Sequence, residues 1–546
     1  MGGAPKTYVV VIDTPSVKQF VFGTDALAES RGASALLDRL HREDLSAWLR
    51  AGISQAGGEL ERVYAGGGSA QFLFHDCALA VVERVVAEAA RRFRIETGGE
   101  VRLAYGIAEL ESVSAYRHAL RTAHFRMRSQ REMGCLSRAT PLLPFMKECE
   151  SASHLPAIPS RDWGPEGRRA LSDASCRKRE EARRAKRHGA WAKWMSQLAE
   201  NGPWPHEDDW AHLRPASSTK IGDCSQRRGY VGLVYADGNR MGQVVQQLDD
   251  PAIFRQFSEI VDQGICEACH TALERVCSAE IAHVRANRGG HDILPADILL
   301  AGGDDLLVML PADRALWFAA QVSEQFERVT QHKMARLNGK SRSLLERLLS
   351  ADGLTISCGV ALARANYPFY LLLELAEALL GSAKRGGLLP PGSGHASPSG
   401  SRIDFHLVSG ASSHELEYVR ERDYCCTSGN VPRTLRPYTR DGLARLRAAA
   451  STLRRAGFPR SKLHALQEAS LDPLQHRAQE RIREIFARCQ HAENRSQRRA
   501  LWEAIEHLTP EGFRLDFPWY ERNGQRTMAV ADLVEVYELV GAREVP

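Results

Sequence analysis

With 546 residues, 43% hydrophobic and 25% charged, the chain has the composition of a soluble globular protein of about three or four domains. No stretch approaches the ~20 apolar residues of a membrane span, and the opening Met-Gly-Gly-Ala-Pro-Lys carries no signal-peptide pattern, so a cytoplasmic location without a membrane partner is expected. The net charge of +5 is uneven: residues 161–194 hold 11 Lys and Arg against 5 acids, and residues 431–546 hold 20 against 15. Such a surplus suits a phosphate-bearing partner such as RNA, although a solvated helix face accounts equally well for the run Cys176–Arg187. The twelve cysteines are scattered, many within apolar helices, and read mostly as small buried hydrophobes.

The first predicted element is a strand ending at Asp13. Tyr64-Ala-Gly-Gly-Gly-Ser-Ala-Gln-Phe-Leu-Phe74 follows as a glycine-turned hairpin, then an amphipathic helix over 78–93 and a strand over 101–108. From about 130 to 228 strand patterns vanish, and Pro, Ser, Trp and basic residues cluster. Cys149, His154, Asp173 and Cys176 lie in this stretch like the remains of a zinc module. No Cys-x-x-Cys pair and no set of four ligands at standard spacing is present, so zinc is not expected.

A second strand, Tyr230-Val-Gly-Leu-Val-Tyr-Ala-Asp237, ends in a carboxylate and a Gly238-Asn-Arg turn. Asp297-Ile-Leu-Leu-Ala-Gly-Gly-Asp-Asp-Leu-Leu-Val-Met-Leu310 then reads as strand, tight turn, strand, with Gly302 and Gly303 supplying the turn angles and Asp304 and Asp305 at the tip. A surface hairpin uses the same residue types. Two adjacent carboxylates without a local cation, beside a strand ending in Asp237, are instead what two-metal phosphoryl transfer requires, with Mg²⁺ or Mn²⁺ as the oxygen-preferring ions. A helix over 313–329, a strand over 354–363 and a helix over 368–385 follow. Lys384, at the end of that last helix, either reaches a triphosphate or complements the helix dipole. A flexible loop over 388–401, a strand over 402–407, and helices over 440–455, 474–489 and 529–540 complete the chain.

The two units form an internal repeat. Ala65-Gly-Gly67 aligns with Ala301-Gly-Gly303, so that Gly68 and Ser69 stand where Asp304 and Asp305 stand. The strands at 101–108 and 354–361 also align, and both units open with a strand ending in Asp. The expected fold is therefore α+β: two ferredoxin-like palm domains, each a sheet covered by helices on one face, with a small intermediate region and a helical C-terminal domain. The expected boundaries are 1–128, 129–228, 229–410 and 411–546. The first palm keeps its turn glycines but has lost its tip carboxylates.

These residues resemble the large, Palm-domain subunit of type III CRISPR effector complexes. The resemblance rests on Asp237 in Tyr-Ala-Asp-Gly-Asn-Arg-Met-Gly, the GGDD tetrad 302–305, Val11–Phe22 with Glu29–Leu37, and Leu375–Lys384. It implies a cyclic oligoadenylate synthase that condenses ATP and releases pyrophosphate. Asp237, Asp304 and Asp305 would then hold two Mg²⁺ or Mn²⁺ ions, and Gly238, Gly302, Gly303 and Lys384 would meet the nucleotide. It also implies partners: a small subunit, crRNA-binding subunits and, through them, crRNA and target RNA. The sequence departs from the family in having no HD nuclease domain ahead of the first palm, so DNA cleavage is not expected, and His75-Asp76 and His291-Asp292 are chance dipeptides. The Gly-Asn-Arg after Asp237 also leaves three acids for two metals. Two rivals remain open: a non-catalytic, RNA-binding large subunit, and a stand-alone cyclic-dinucleotide synthase, which could pair as a homodimer.

Overall fold

A computed structural model of the chain describes residues 6–24, 26–133, 143–152, 154–158, 163–164, 167–188, 190–200, 213–215, 217–286, 293–349, 353–386, 400–408, 415–426, 431–472, 474–488, 495–510, 512–522 and 525–540. Most of the loop expected over 388–401, and the His291-Asp292 dipeptide, lie outside these residues. Among the described residues no helix is long and apolar enough to cross a membrane.

Two sheets dominate. The first contains β1 (Lys6–Asp13), β2 (Glu59–Gly66), β3 (Ser69–Cys77) and β4 (Ala104–Leu110) in the order β2-β3-β1-β4, every neighbour antiparallel. The second contains β5 (Tyr230–Gly238), β6 (Asp297–Gly302), β7 (Asp305–Pro311), β8 (Ile356–Arg364) and β9 (Ile403–Leu407) in the order β6-β7-β5-β8-β9. Apart from β9, which adds parallel to β8, the two orders are the same, and both are ferredoxin-like.

The sheets differ from expectation in being covered on both faces. In the first, Val10 and Ile12 pack with residues of α1 (Leu27–Arg39) and α2 (Leu79–Glu96), whereas Val9 and Val11 share a core with Tyr116 and Ala123 of α3 (Tyr116–Glu132). The basic helix α4 (Asp173–His188) follows α3. In the second sheet, Val234 and Ala236 meet the core formed by α5 (Pro251–Val276) and α6 (Ala312–Ala335), while Leu233 and Tyr235 pack toward α7 (Phe369–Arg385). The reason is in the composition of β5, β7 and β8. They are apolar at nearly every position rather than at alternate ones, and such strands need cover on both sides. A glycine in each repeat lets the second cover close. A Cβ at Gly106 would overlap the Ala123 carbonyl oxygen on α3, and a Cβ at Gly359 would overlap that of Ala376 on α7.

Part of the basic run of α4 is engaged within the chain. Lys178 is buried and donates to Glu100 at 2.9 Å and to the Phe20 carbonyl at 2.7 Å, and Arg179 pairs with Glu29 at 2.7 Å. A Cβ at Gly32 on α1 would overlap the Lys178 carbonyl, so the two helices are in backbone contact. This part of the run is a strut against α1 of the first repeat. Nearby, Cys149 sits in a small core with Ala152 and Leu171, its sulfur accepting the Ser172 N–H at 3.2 Å.

The C-terminal region contains helices Arg440–Arg455, Arg460–Ser470, Gln475–Ala487, Arg495–His507 and Val530–Tyr537. It also contains an unexpected three-stranded meander, Arg514–Asp516, Trp519–Arg522 and Gln525–Thr527. Strands of three or four residues are too short to show a period of two, which is why the sequence reads as helical throughout.

Candidate active site at the meeting of two hairpins

The adjacent strands β5 and β7 bring the acids together. Asp237 stands directly opposite Asp305 in the ladder, and Asp305 opposite Gly302 across the turn. The Gly238 N–H donates to the Asp304 carbonyl at 3.2 Å and fixes the tip against the end of β5. A Cβ at Gly238 would lie 2.5 Å from Met241 Cε and 3.1 Å from Asp304 Cβ, so a larger residue there must displace the Met241 side chain and crowd the tip. Gly303 has φ +64°, the left-handed conformation that glycine adopts without strain. Lys384, at the end of α7, donates to Asp237 Oδ2 and, at 3.2 Å, to the Gly238 carbonyl. All seven residues singled out in the sequence thus meet at one place.

The first repeat is built to the same register. Asp13 stands opposite Ser69, the Thr14 N–H donates to Gly68 O at 2.8 Å, and Arg131 at the end of α3 reaches Asp13 at 3.4 Å. Each step has its counterpart in the second repeat, except that Gly68 and Ser69 replace the two tip acids.

Electrostatics set the second copy apart. Burial, then the charge of Asp237, raises the Asp304 carboxyl to about 6. Burial, then the charges of Asp237 and Asp304, raises Asp305 to about 7. Two cations oppose this, of which only the second lies outside the residues singled out in the sequence. One is Lys384. The other is Lys18 of the first repeat, which is ion-paired with Glu377 at 2.9 Å and lies 5.2 Å from the centre of the Tyr235 ring. Three mutually repelling oxygen-donor carboxylates fit a hard divalent ion in their chemistry. Among the described residues, however, no three His, Cys, Asp or Glu side chains are gathered into a metal-binding set, and Asp237 is engaged by Lys384.

The raised carboxyls predict a pH dependence of stability. Both bind protons more tightly in the folded chain than their ordinary value of 3.8 allows. Their stabilising contribution is therefore fully present below that value and is lost as pH rises through about 6 and 7. In chelator, the melting temperature should fall between pH 5 and pH 8. Asp304→Asn/Asp305→Asn should flatten that fall, as read by scanning fluorimetry, and an unchanged slope would contradict the assignment.

Three further residues at the site are not among the candidates read from the sequence. Arg42 and Asp262 form a two-pronged ion pair at 2.8 and 2.6 Å, and Asp262 Oδ1 accepts the Gly303 N–H at 2.8 Å. The Tyr64 hydroxyl lies 3.3 Å from where a Cβ of Gly303 would stand. The two hairpin tips, Gly66–Gly68 and Gly302–Gly303, therefore meet within one chain. Beside them a cavity of about 330 Å³ is bounded by Val17, Gly67, Gly68, Arg42, Gly302 and Asp305.

Residues 230–387 match the family described as Cas10/Cmr2, second palm domain. No curated protein matches the chain. Among solved structures, the Csm1–Csm4 cassette in complex with one ATP is similar at 14% identity and TM-score 0.50, over 98% of this chain and 70% of that one. Csm1 of T. onnurineus is similar at 14% identity and TM-score 0.49, over 99% of this chain and 70% of that one. The cassette in complex with cA4 is similar at 13% identity and TM-score 0.45, over 77% and 58%. This chain thus spans between 58% and 70% of the length of those three, and the likeness to the ATP-bound cassette is one of fold. The match to the Cas10/Cmr2 second palm domain covers residues 230–387, which hold the Asp237 strand and the GGDD hairpin.

Proposed function

We propose that the chain is the large subunit of a type III CRISPR RNA-guided defence complex and condenses ATP into cyclic oligoadenylate. The observation that carries this reading is the cluster Asp237, Asp304 and Asp305 at register-matched strand ends, with two carboxyls raised toward neutrality, inside the segment that matches the family. The 3′-hydroxyl of one ATP attacks the α-phosphorus of another. The new P–O bond forms as the bond to the β-phosphate bridging oxygen breaks, pyrophosphate leaves and the hydroxyl proton passes to solvent. Asp237, Asp304 and Asp305 would hold two Mg²⁺ or Mn²⁺ ions, which when bound lower the pKa of the attacking hydroxyl and neutralise the departing charge. Gly238, Gly302 and Gly303 leave the backbone open to the nucleotide. Lys384 passes from Asp237 to the triphosphate when ATP arrives.

The likeness to the Csm1–Csm4 cassette in complex with one ATP supports nucleotide as ligand and other type III subunits as partners. The Arg-rich stretch 431–546 is the proposed contact with crRNA and target RNA, since part of the basic run at 176–187 is engaged internally. The four-part domain division and the cytoplasmic location belong to the same reading. Lys384→Met is expected to raise the KM for ATP roughly 10-fold, the value of about one charge-assisted hydrogen bond, with a smaller change in kcat. Steady-state kinetics on the assembled complex check this, and an unchanged KM would remove Lys384 from the triphosphate site.

A second reading, a non-catalytic large subunit, is favoured by the Lys384–Asp237 pair and by the lack of a gathered metal set among the described residues. ATP binding by calorimetry without any product would identify it.

A further inference from the structure

After α1 the chain makes a π-helical segment, Leu40–Asp44, before resuming as helix Leu45–Ser54. Such segments are rare and recur at functional sites. This one sends two neighbouring side chains to different partners, one within the first repeat and one in the second. His41 turns inward and is buried. Its Nε2 lies 2.7 Å from Thr14 Oγ1, at the end of β1, and burial lowers its pKa to about 4. Arg42 turns outward to the second repeat and grips both oxygens of Asp262. Asp262 on α5 in turn accepts the N–H of Gly303, the residue before Asp304. Burial works against its charge, but the Arg42 guanidinium and the Gly303 N–H together hold its carboxyl below the ordinary range. Both side chains are largely shielded, at 24% and 19% exposure, so solvent screens this pair less than a surface pair.

We propose that Arg42 is a positioning residue for the GGDD hairpin, acting through Asp262. The first repeat has no tip acids of its own, and it holds the armed tip of the second in place. The need for such a clamp is physical. A tip that carries two adjacent, mutually repelling carboxylates tends to splay, and its turn at Gly303 is a flexible glycine at φ +64°. Asp262 fixes that turn at the backbone, one residue from the acids. The inference builds on the synthase reading for its catalytic consequence, but the clamp itself can be tested without turnover.

The test follows amide hydrogen exchange at Gly303 in the full chain, by NMR on glycine-labelled protein, alongside Mn²⁺ binding by electron paramagnetic resonance. Asp262→Ala removes the acceptor and should speed Gly303 exchange roughly 10-fold, the worth of about one hydrogen bond. Asp262→Asn keeps an acceptor oxygen and should recover most of that protection. Arg42→Gln leaves the carboxylate unclamped and should speed exchange about 3-fold, with Mn²⁺ affinity falling in the same order as protection. Wild-type exchange in folded Asp262→Ala, or in Arg42→Gln, would overturn the proposal. If Asp262→Ala does not fold, Arg42→Gln and Asp262→Asn decide it. Failure of the synthase reading looks different: the wild type would bind no Mn²⁺ and make no product while the exchange pattern held.

Discussion

Replacing Asp304 and Asp305 together with alanine is expected to lower adenylate formation by about 10³-fold or more, because the charges that would hold the metals supply several kcal/mol of transition-state stabilisation. The loss should fall on kcat, with ATP binding reduced far less, since Lys384 and the backbone around Gly238 remain. The fold should survive. Both carboxyls are raised by burial and by their neighbours, so their removal relieves repulsion, and the melting temperature in chelator at pH 8 should rise rather than fall. Product analysis by liquid chromatography with mass spectrometry, paired with scanning fluorimetry, checks both halves. A variant that is inactive and also unfolded would leave the acids as structural groups.

The largest effect on stability is expected at the two glycines that admit the second helical cover. In Gly106→Val the side chain meets the Ala123 carbonyl, and in Gly359→Val it meets the Ala376 carbonyl. Backbone cannot yield as a flexible side chain does, so each helix must shift away from its sheet. Each substitution should cost about 3 kcal/mol or more. At about 2–4 °C per kcal/mol for units of this size, the melting temperature should drop by roughly 6–12 °C. The two differ in reach: Gly359→Val displaces the helix that carries Lys384, while Gly106→Val displaces the one that carries Arg131. Gly339→Ala, at a glycine where a Cβ meets nothing within 4 Å, should stay within about 0.5 kcal/mol of wild type. Equal melting temperatures for Gly359→Val and Gly339→Ala would refute the packing argument.

Much of the site is legible in the sequence because its parts are local. The Ala-Gly-Gly repeat, the Asp at the end of each opening strand and the loss of the tip acids in the first copy all lie within short motifs, and the strand registers bear the alignment out residue by residue. Lys384 is also legible, as the basic end of a helix, although it engages Asp237. What could not be read depends on distance in the chain. Arg42 and Asp262 are 220 residues apart, and neither sits in a motif. Lys18 comes to the site through contacts with Glu377 and Tyr235 of the second repeat, far from it in the chain. The two-sided cover of the sheets was readable in principle, since β5 is apolar at almost every position. The palm expectation of a single helical layer took precedence over that signal. The engagement of Lys178 and Arg179 in α4 could not be read for a related reason: the acids that meet them, Glu100 and Glu29, lie 78 and 150 residues away, ahead of β4 and on α1.

The measurement that tests the central claim most directly is the identity of the product. The purified chain, alone and assembled with its type III subunits, guide and target RNA, is incubated with each of the four nucleoside triphosphates and Mg²⁺ or Mn²⁺, and the mixture is resolved by mass spectrometry. The account predicts cyclic adenylates with stoichiometric pyrophosphate from ATP in the assembled complex, and no such product from the Asp304→Ala/Asp305→Ala variant. A cyclic dinucleotide made by the chain alone, without RNA, would contradict it in favour of a stand-alone cyclase. ATP bound but unchanged in the complete, target-loaded complex would contradict it in favour of a structural subunit.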